Sequence, residues 1–539
     1  MANISKRNRR LEKEIRDAAK NRREIIAARL SRRDLVKMGL LTGAGFLVPK
    51  KGLSVRAQFG GGGGSCFGFY GQGGTPVSPP TTPYVEPMPI PPIAQSVASL
   101  NPAPTVNPNT AAGEGRTRPH QAFTQLPPQK FYVVHQREEL ISMHPQLPLQ
   151  RLWTFNGTVP GQTYVANYGQ PILVRNFNDL PNDNGGFGLQ SVSTHLHNGH
   201  TPSESDGFPC DFFAQGHFYD QHYPNVLAGF ASTHPPNGDI NESMSTLWYH
   251  DHRVDFTAQN VYKGLAGFYL LFNQFDTGNE TTGFRLPTFP DFDIPMMFND
   301  KNFDPDDGLL AFDLANRDGI LGDKFLVNGK IQPFFEVKKR RYRFRWLNAG
   351  PSRFYQFYLT KADNTNHPFW VIANDGNLLP NPVLTNNGVR IAVAERMDVI
   401  VDFSSFNPGD RIYINNRLQQ CDGAGPTDNI VSASQGNKVL EFRVISGTVN
   451  DQSVNPATNP SFYAVPARVA ENKRRCFKFD RENGQWVIND EVFDCNDVRF
   501  RVKRNNVEVW ELEGGFDWQH PIHIHFEEHQ IIRRNRQTP

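Results

Sequence analysis

Cysteine is scarce in this chain. Five in 539 residues, at positions 66, 210, 421, 476 and 495, are too few and too scattered for a disulfide framework, although they leave room for one or two bridges. None of the five has a histidine beside it. Charge of one sign is also lacking, with 56 basic against 54 acidic residues and a net charge of +2. That balance gives no reason to propose a nucleic-acid partner. The basic excess is local, crowding the first forty residues, so the remainder is mildly acidic. The apolar run at 38–48 is too short to span a bilayer.

What is present begins with 45 Gly and 41 Pro among abundant Val, Phe and Tyr. This composition suits a turn-rich β protein, and the length implies about two to four domains. Residues 1–37 form a densely charged arm ending in Ser31-Arg32-Arg33-Asp34-Leu35-Val36-Lys37. The apolar run, then Lys50 and Lys51, then Val55-Arg56-Ala57 follow in the order of a secretory signal. The paired arginines resemble the twin-arginine export signal. Residues 1–57 are therefore expected to direct export to the periplasm or the cell exterior. Residues 58–119, a Gly run followed by repeated Pro, read as an extended, disordered linker.

An internal repeat starts near residue 120. Trp153-Thr154-Phe155-Asn156-Gly157 leads to Pro171-Ile172-Leu173-Val174-Arg175-Asn176. Phe325-Leu326-Val327-Asn328-Gly329 leads to Tyr342-Arg343-Phe344-Arg345-Trp346-Leu347-Asn348. Trp486-Val487-Ile488-Asn489-Asp490 leads to Val507-Glu508-Val509-Trp510-Glu511-Leu512. Each copy is a turn carried by Asn-Gly or Asn-Asp and then an alternating strand. The leading asparagines lie 172 and 161 residues apart. Three tandem β domains are expected, at 120–280, 281–450 and 451–539. Only 50 residues follow Asn489, where half a sandwich would leave strand edges and a core face open. The third domain is thus expected to be incomplete in this chain.

Sixteen histidines are present, and seven fall in three short segments: His195-Leu196-His197, His250-Asp251-His252 and His520-Pro521-Ile522-His523-Ile524-His525. Residues i and i+2 share one face of a strand but do not face each other on a helix. The pairs therefore make sense as ligands on strands. His523 and His525 should share a face, and His520, at odd spacing from both, should point elsewhere. One segment then serves two metal sites. Asp251, between two ligands, should face away and act only through its neighbours. His529 reads as lying past the site. His200, His217, His222 and His234 read as loop or surface residues, and His120, His135, His144 and His367 as isolated.

Together with Thr194, Trp248-Tyr249, Ser205-Asp206-Gly207 and Asn260-Val261-Tyr262-Lys263-Gly264-Leu265-Ala266-Gly267, these segments resemble the first three copper motifs of the multicopper oxidases. The resemblance is nearest to the bacterial spore-coat laccase and bilirubin oxidase group and covers about residues 120–539. It implies an all-β fold of three tandem cupredoxin-like sandwich domains, and four copper ions in the complete protein at type 1, type 2 and type 3 sites. It also implies His195 and His523 at the type 2 copper, His197, His250, His252 and His525 at the type 3 pair, and His520 at the type 1 copper. Asp206 stands where that group has an acid beside the cluster and is the candidate catalytic residue supplying protons. The other reading of Asp206 is a turn residue before Gly207.

The family's fourth motif, His-Cys-His with a further His and an axial Met, has no match. A blue copper site needs a thiolate with two imidazoles, and the end of the chain inside its last domain is the expected reason for the gap. The implied reaction is one-electron oxidation of a phenol, pigment or metal ion coupled to four-electron reduction of dioxygen to water. The expected partners are dioxygen and a small reductant, with no membrane span. A non-catalytic copper-binding scaffold is the alternative if the printed end is real. A zinc hydrolase is a third reading, but neither 195–200 nor 250–255 supplies the His-x-His-x-Asp-His pattern that a metallo-β-lactamase needs.

Overall fold

The computed structural model describes residues 78–226, 245–314, 316, 319–458, 462, 468–482, 485–503, 506–515, 518–525 and 529–534. The expected export signal, the start of the linker, Cys66 and His234 lie outside the described residues. The described parts form two compact units, one within Ala470–Phe516 and the other within Val77–Val469 and Asp517–Pro539.

The larger unit is almost entirely β. Its first half holds β1 (Lys130–Ile141), β2 (Gln150–Phe155), β3 (Gly161–Asn167), β4 (Ile172–Asn178), β5 (Thr194–His197), β6 (Phe218–Tyr223), β7 (Thr246–Asp251) and β8 (Ala266–Phe272). Among the described residues these make two sheets, ordered β2-β1-β4-β6 and β3-β8-β7-β5. Strand alternation sends Tyr132 and Val134 of β1 inward to meet Tyr164, Leu196, Tyr249 and Tyr269 of the facing sheet. Fully burying side chains of this size stabilises by about 1.5–3 kcal/mol each.

The second half repeats the plan. A sheet containing Asp293–Phe303, Arg341–Asn348 and Arg396–Asp402 shares one core with a sheet containing Tyr355–Lys361, Arg411–Asn416 and Asn437–Val444. Ile294, Phe344, Trp346, Phe357, Ile412 and Phe442 fill that core. The smaller unit holds Lys473–Glu482, paired antiparallel with Gln485–Ile488 and parallel with Glu508–Gly514. Much of its apolar surface is open, with Trp486, Phe493 and Leu512 exposed.

The expected repeat recurs atom for atom. Asn156, Asn328 and Asn489 all adopt left-handed φ values, of 54°, 47° and 52°. Each uses its carboxamide to bind the strand alongside. Asn156 accepts from His135 N and donates to Val133 O, Asn328 accepts from Met297 N and donates to Pro295 O, and Asn489 accepts from Lys478 N and donates to Cys476 O. The strand so bound then pairs in parallel with the alternating strand of its own copy, as in β1 with β4.

The reading of 58–119 as a disordered linker fails for 78–119. Met88, Leu100 and Arg116 are buried, and the segment bonds to open sheet edges through Met88 N to Phe334 O, Val97 N to Phe131 O and Gly115 N to Phe218 O. An extended Pro-rich segment suits that role, because an edge strand needs only alternate donors met. Composition shows the extended backbone but not the edge that receives it. Cys210, Cys421 and Cys495 are disulfide-bonded, and Cys476 is an exposed free thiol.

Candidate metal centre

β5 and β7 pair antiparallel, with His195 opposite His250 and His197 opposite Trp248. Opposed residues on paired strands share a face, so the four rings project together from one sheet. His195, His197 and His250 are buried, and His252 follows immediately after β7. The 518–525 segment brings two more rings. His523 stacks on His197 with centroids 3.6 Å apart, and His525 stacks on His195 at 3.9 Å. His252 lies 5.2 Å from His525 and 5.3 Å from His195, centroid to centroid. The six imidazoles thus converge from three segments. His520 is exposed and lies outside this group.

The expectation that 520–525 forms a strand does not hold, since no ladder is formed there among the described residues. Gln519 N bonding to Ala424 O anchors the segment's start, and His523 and His525 reach the site without sheet pairing. Asp251 behaves as its alternation predicts. It turns from the rings to accept from Ser193 N, Arg253 N and Asn260 Nδ2, which ties β7 to the loop before β5.

Ring orientation follows from the acceptors. His195 Nδ1 is 2.5 Å from the Asp206 carbonyl, and His250 Nδ1 is 2.8 Å from the Asp251 carbonyl. A carbonyl can only accept, so both Nδ1 atoms carry the proton and both Nε2 atoms present a lone pair. His195 Nε2 and His523 Nε2 lie 3.2 Å apart, the separation of two imidazole nitrogens sharing one ion with bonds of about 2 Å. His197 Nδ1 and His250 Nε2 lie 3.4 Å apart. Donor atoms of His195, His197 and His523 fall within 4.8 Å of one another, as do those of His195, Asp206 and His525.

Electrostatics agree with a cation site. Burial, then neighbouring imidazoles, push the pKa of His252 down to about 3 and that of His523 to about 2. Burial, then the charge of neighbours, also holds His197 and His250 well below their ordinary value. All are neutral near pH 7 and ready to ligate. Asp206 resists the burial that would raise its pKa, because attraction to His195 and hydrogen bonds from His195 and His525 hold it below the usual carboxylate range. Its Oδ2 lies 2.7 Å from His525 Nδ1, and its Oδ1 accepts from Thr201 Oγ1. Gly207 follows at φ +78°, where a Cβ would run into the Thr194 carbonyl and the His195 backbone. The Asp-Gly turn is therefore pressed onto β5 itself.

Trp248, quoted with the second motif but given no role there, stacks on His250 at 4.1 Å, and its spacing of two from His250 was a usable signal for it. His222 was read as a loop or surface residue but lies on β6, fully buried beside His120. The donor set suits zinc as well as copper, so relatives decide between them. The multicopper oxidase family model matches residues 468–539. A laccase of Bacillus stratosphericus is 32% identical over 447 residues, spanning 76% of this chain and 81% of the relative.

The chain belongs to the multicopper oxidase family.

A bilirubin oxidase of Albifimbria verrucaria is 33% identical over 413 residues, covering 75% of this chain and 66% of that protein. The solved structure of a laccase from Pediococcus acidilactici superposes with a TM-score of 0.60 at 21% identity, over 82% of this chain and 79% of that one. This multicopper oxidase is a copper-dependent oxidoreductase with a tandem cupredoxin-like architecture, and its six converged imidazoles fit copper in number, protonation and spacing.

Proposed function

We propose that this multicopper oxidase withdraws electrons singly from a small reductant, a phenol, a bilirubin-type pigment or a metal ion, and delivers them with protons to dioxygen, forming water. The convergence of six imidazoles on one centre carries the reading, and similarity to proteins named laccase and bilirubin oxidase supports these substrate classes. His195 and His523 are assigned to the type 2 copper, His197, His250, His252 and His525 to the type 3 pair, and His520 to the type 1 copper. Bound copper would supply the one-electron chemistry and the site of dioxygen reduction.

The chain's own residues prepare that site. The carbonyls of Asp206 and Asp251 hold the protons of His195 and His250 on Nδ1, which leaves Nε2 to ligate. The Asp206 carboxylate orients His525 through Nδ1 and is the group to which we assign proton delivery. Burial of β5 and β7 keeps bulk water from the rings. The domain limits 120–280, 281–450 and 451–539 remain our proposal, amended by the packing of 78–119 onto the sheets. Export by the twin-arginine route to the periplasm or cell exterior is proposed from Arg32-Arg33 and the apolar run after them. Among the described residues, no helix is long and apolar enough to cross a membrane.

Copper loading, metal analysis and oxygen uptake with a phenolic reductant test the central claim. In protein that also carries the fourth copper motif, bound copper and consumed oxygen are expected. Zinc retained in place of copper, with no oxygen uptake, overturns it.

A further inference from the structure

We infer that Arg396 is a positioning residue for the metal centre, clamping the two ligand-bearing strands β5 and β7 from the second sandwich. Arg396 opens the strand Arg396–Asp402 and is 1% exposed. Its Nη2 donates to Asn198 Oδ1 at 2.5 Å, its Nε to Thr246 O at 3.1 Å, and its Nη1 to Ala394 O at 3.0 Å and Asp375 Oδ1 at 3.1 Å.

One of those acceptors lies on the metal-bearing sheet and another directly follows one of its strands. Asn198 directly follows His197 and sits at φ 63°, so its side chain fixes the turn by which β5 leaves the site. Thr246 is the first residue of β7, the strand that carries His250. A single planar guanidinium therefore holds the exit of one ligand strand and the entry of the other, and their relative position sets the 3.4 Å between His197 Nδ1 and His250 Nε2. The clamp is itself held in place. Ser245 and Thr246 donate to Asp398, two residues along the same strand as Arg396.

The fork is what matters. Lys at this position keeps the charge but cannot reach Asn198 and Thr246 together in fixed directions. The inference rests on reading His197 and His250 as copper ligands, and the test separates the two claims. Cupric ion is titrated into the full chain by chelator competition, with electron paramagnetic resonance spectra recorded for the parent, R396M, R396K, N198G and D276N. N198G keeps the left-handed turn and removes only the acceptor. D276N weakens the same buried interface through Arg343 without touching β5 or β7.

R396K and N198G are each expected to weaken cupric binding by about 10–100-fold, the usual cost of losing a partner that orients ligands, and to alter the hyperfine pattern. D276N is expected to lower the unfolding midpoint and leave both unchanged. R396K or N198G binding as tightly as the parent with the same spectrum overturns the clamp. So does full rescue of R396M by R396K, which would make charge the operative property. A parent chain that binds no cupric ion overturns the metal reading, and the inference with it.

Discussion

Asp206 Oδ2 lies 2.7 Å from His525 Nδ1, although 319 residues separate them. The same residue's backbone carbonyl takes the Nδ1 proton of His195. One turn residue thus orients an imidazole on β5 and another near the end of the described chain. It joins two of the six converged imidazoles, more than a turn former before Gly207.

Replacing Asp206 with Asn keeps its shape and removes its charge. In copper-loaded protein that also carries the fourth motif, D206N should slow oxygen consumption by about a hundredfold or more, the scale of a lost proton-transfer group, with D206E restoring part of it. Oxygen uptake at matched copper content measures this. D206N turning over at the parent rate would remove the proposed role.

The repeated asparagines should differ in cost according to burial. Asn328 is fully buried, so N328A leaves Met297 N and Pro295 O without their partner and should destabilise by about 2–4 kcal/mol. Asn489 is exposed, where water replaces the lost bonds, and N489A should cost less than about 1 kcal/mol. Denaturant unfolding of the two variants decides. Equal losses would mean that the shared geometry outweighs solvent.

Buried charge offers a third test. Arg343 and Arg345 meet Asp398, Asp293 and Asp276, all buried. D398A leaves the two buried guanidiniums with only Asp276 and Asp293 to balance them and should cost about 3–5 kcal/mol. A shift of the unfolding midpoint within scatter would show that the remaining carboxylates suffice.

Stability should also depend on pH through His222. Burial, then the neighbouring His120, pushes its pKa down to about 4 against an ordinary 6.5, while the Leu126 backbone and Glu204 pull it back up. Between those values the unfolded chain binds the proton and the folded one does not. Stability from this residue is therefore present above about pH 6.5 and lost as pH falls toward 4. H222F should flatten that window in unfolding midpoints recorded from pH 7.5 to 4. An unchanged slope would assign the acid loss to other groups.

Export can be checked separately. Changing Arg32 and Arg33 together to Lys should hold the precursor inside the cell, read by fractionation of copper-loaded protein. Undiminished export would exclude the twin-arginine route.

Much of this protein was legible before folding because its signals are local. Asn-Gly turns followed by alternating strands give the same answer wherever they occur, since φ > 0 at Asn and a period of two are properties of a few consecutive residues. The parity of His-x-His pairs likewise required a shared face, and β5 and β7 provide it. His222 and residues 78–119 were misread because polar or Pro-rich composition describes a segment's own preferences, whereas burial depends on which surface it meets.

By itself, the sequence determined the β class, the threefold repeat, the histidine pairs and the Asp206-Gly207 turn beside them. Only the tertiary structure decided that His523 and His525 stack on His197 and His195 without forming a strand, that Arg396 reaches Asn198 and Thr246 from another sandwich, and that a Pro-rich segment seals sheet edges. The physical reason is one of range. Backbone conformation is set within a few residues, while stacking, ion pairing and desolvation act between groups that only folding brings within a few ångströms.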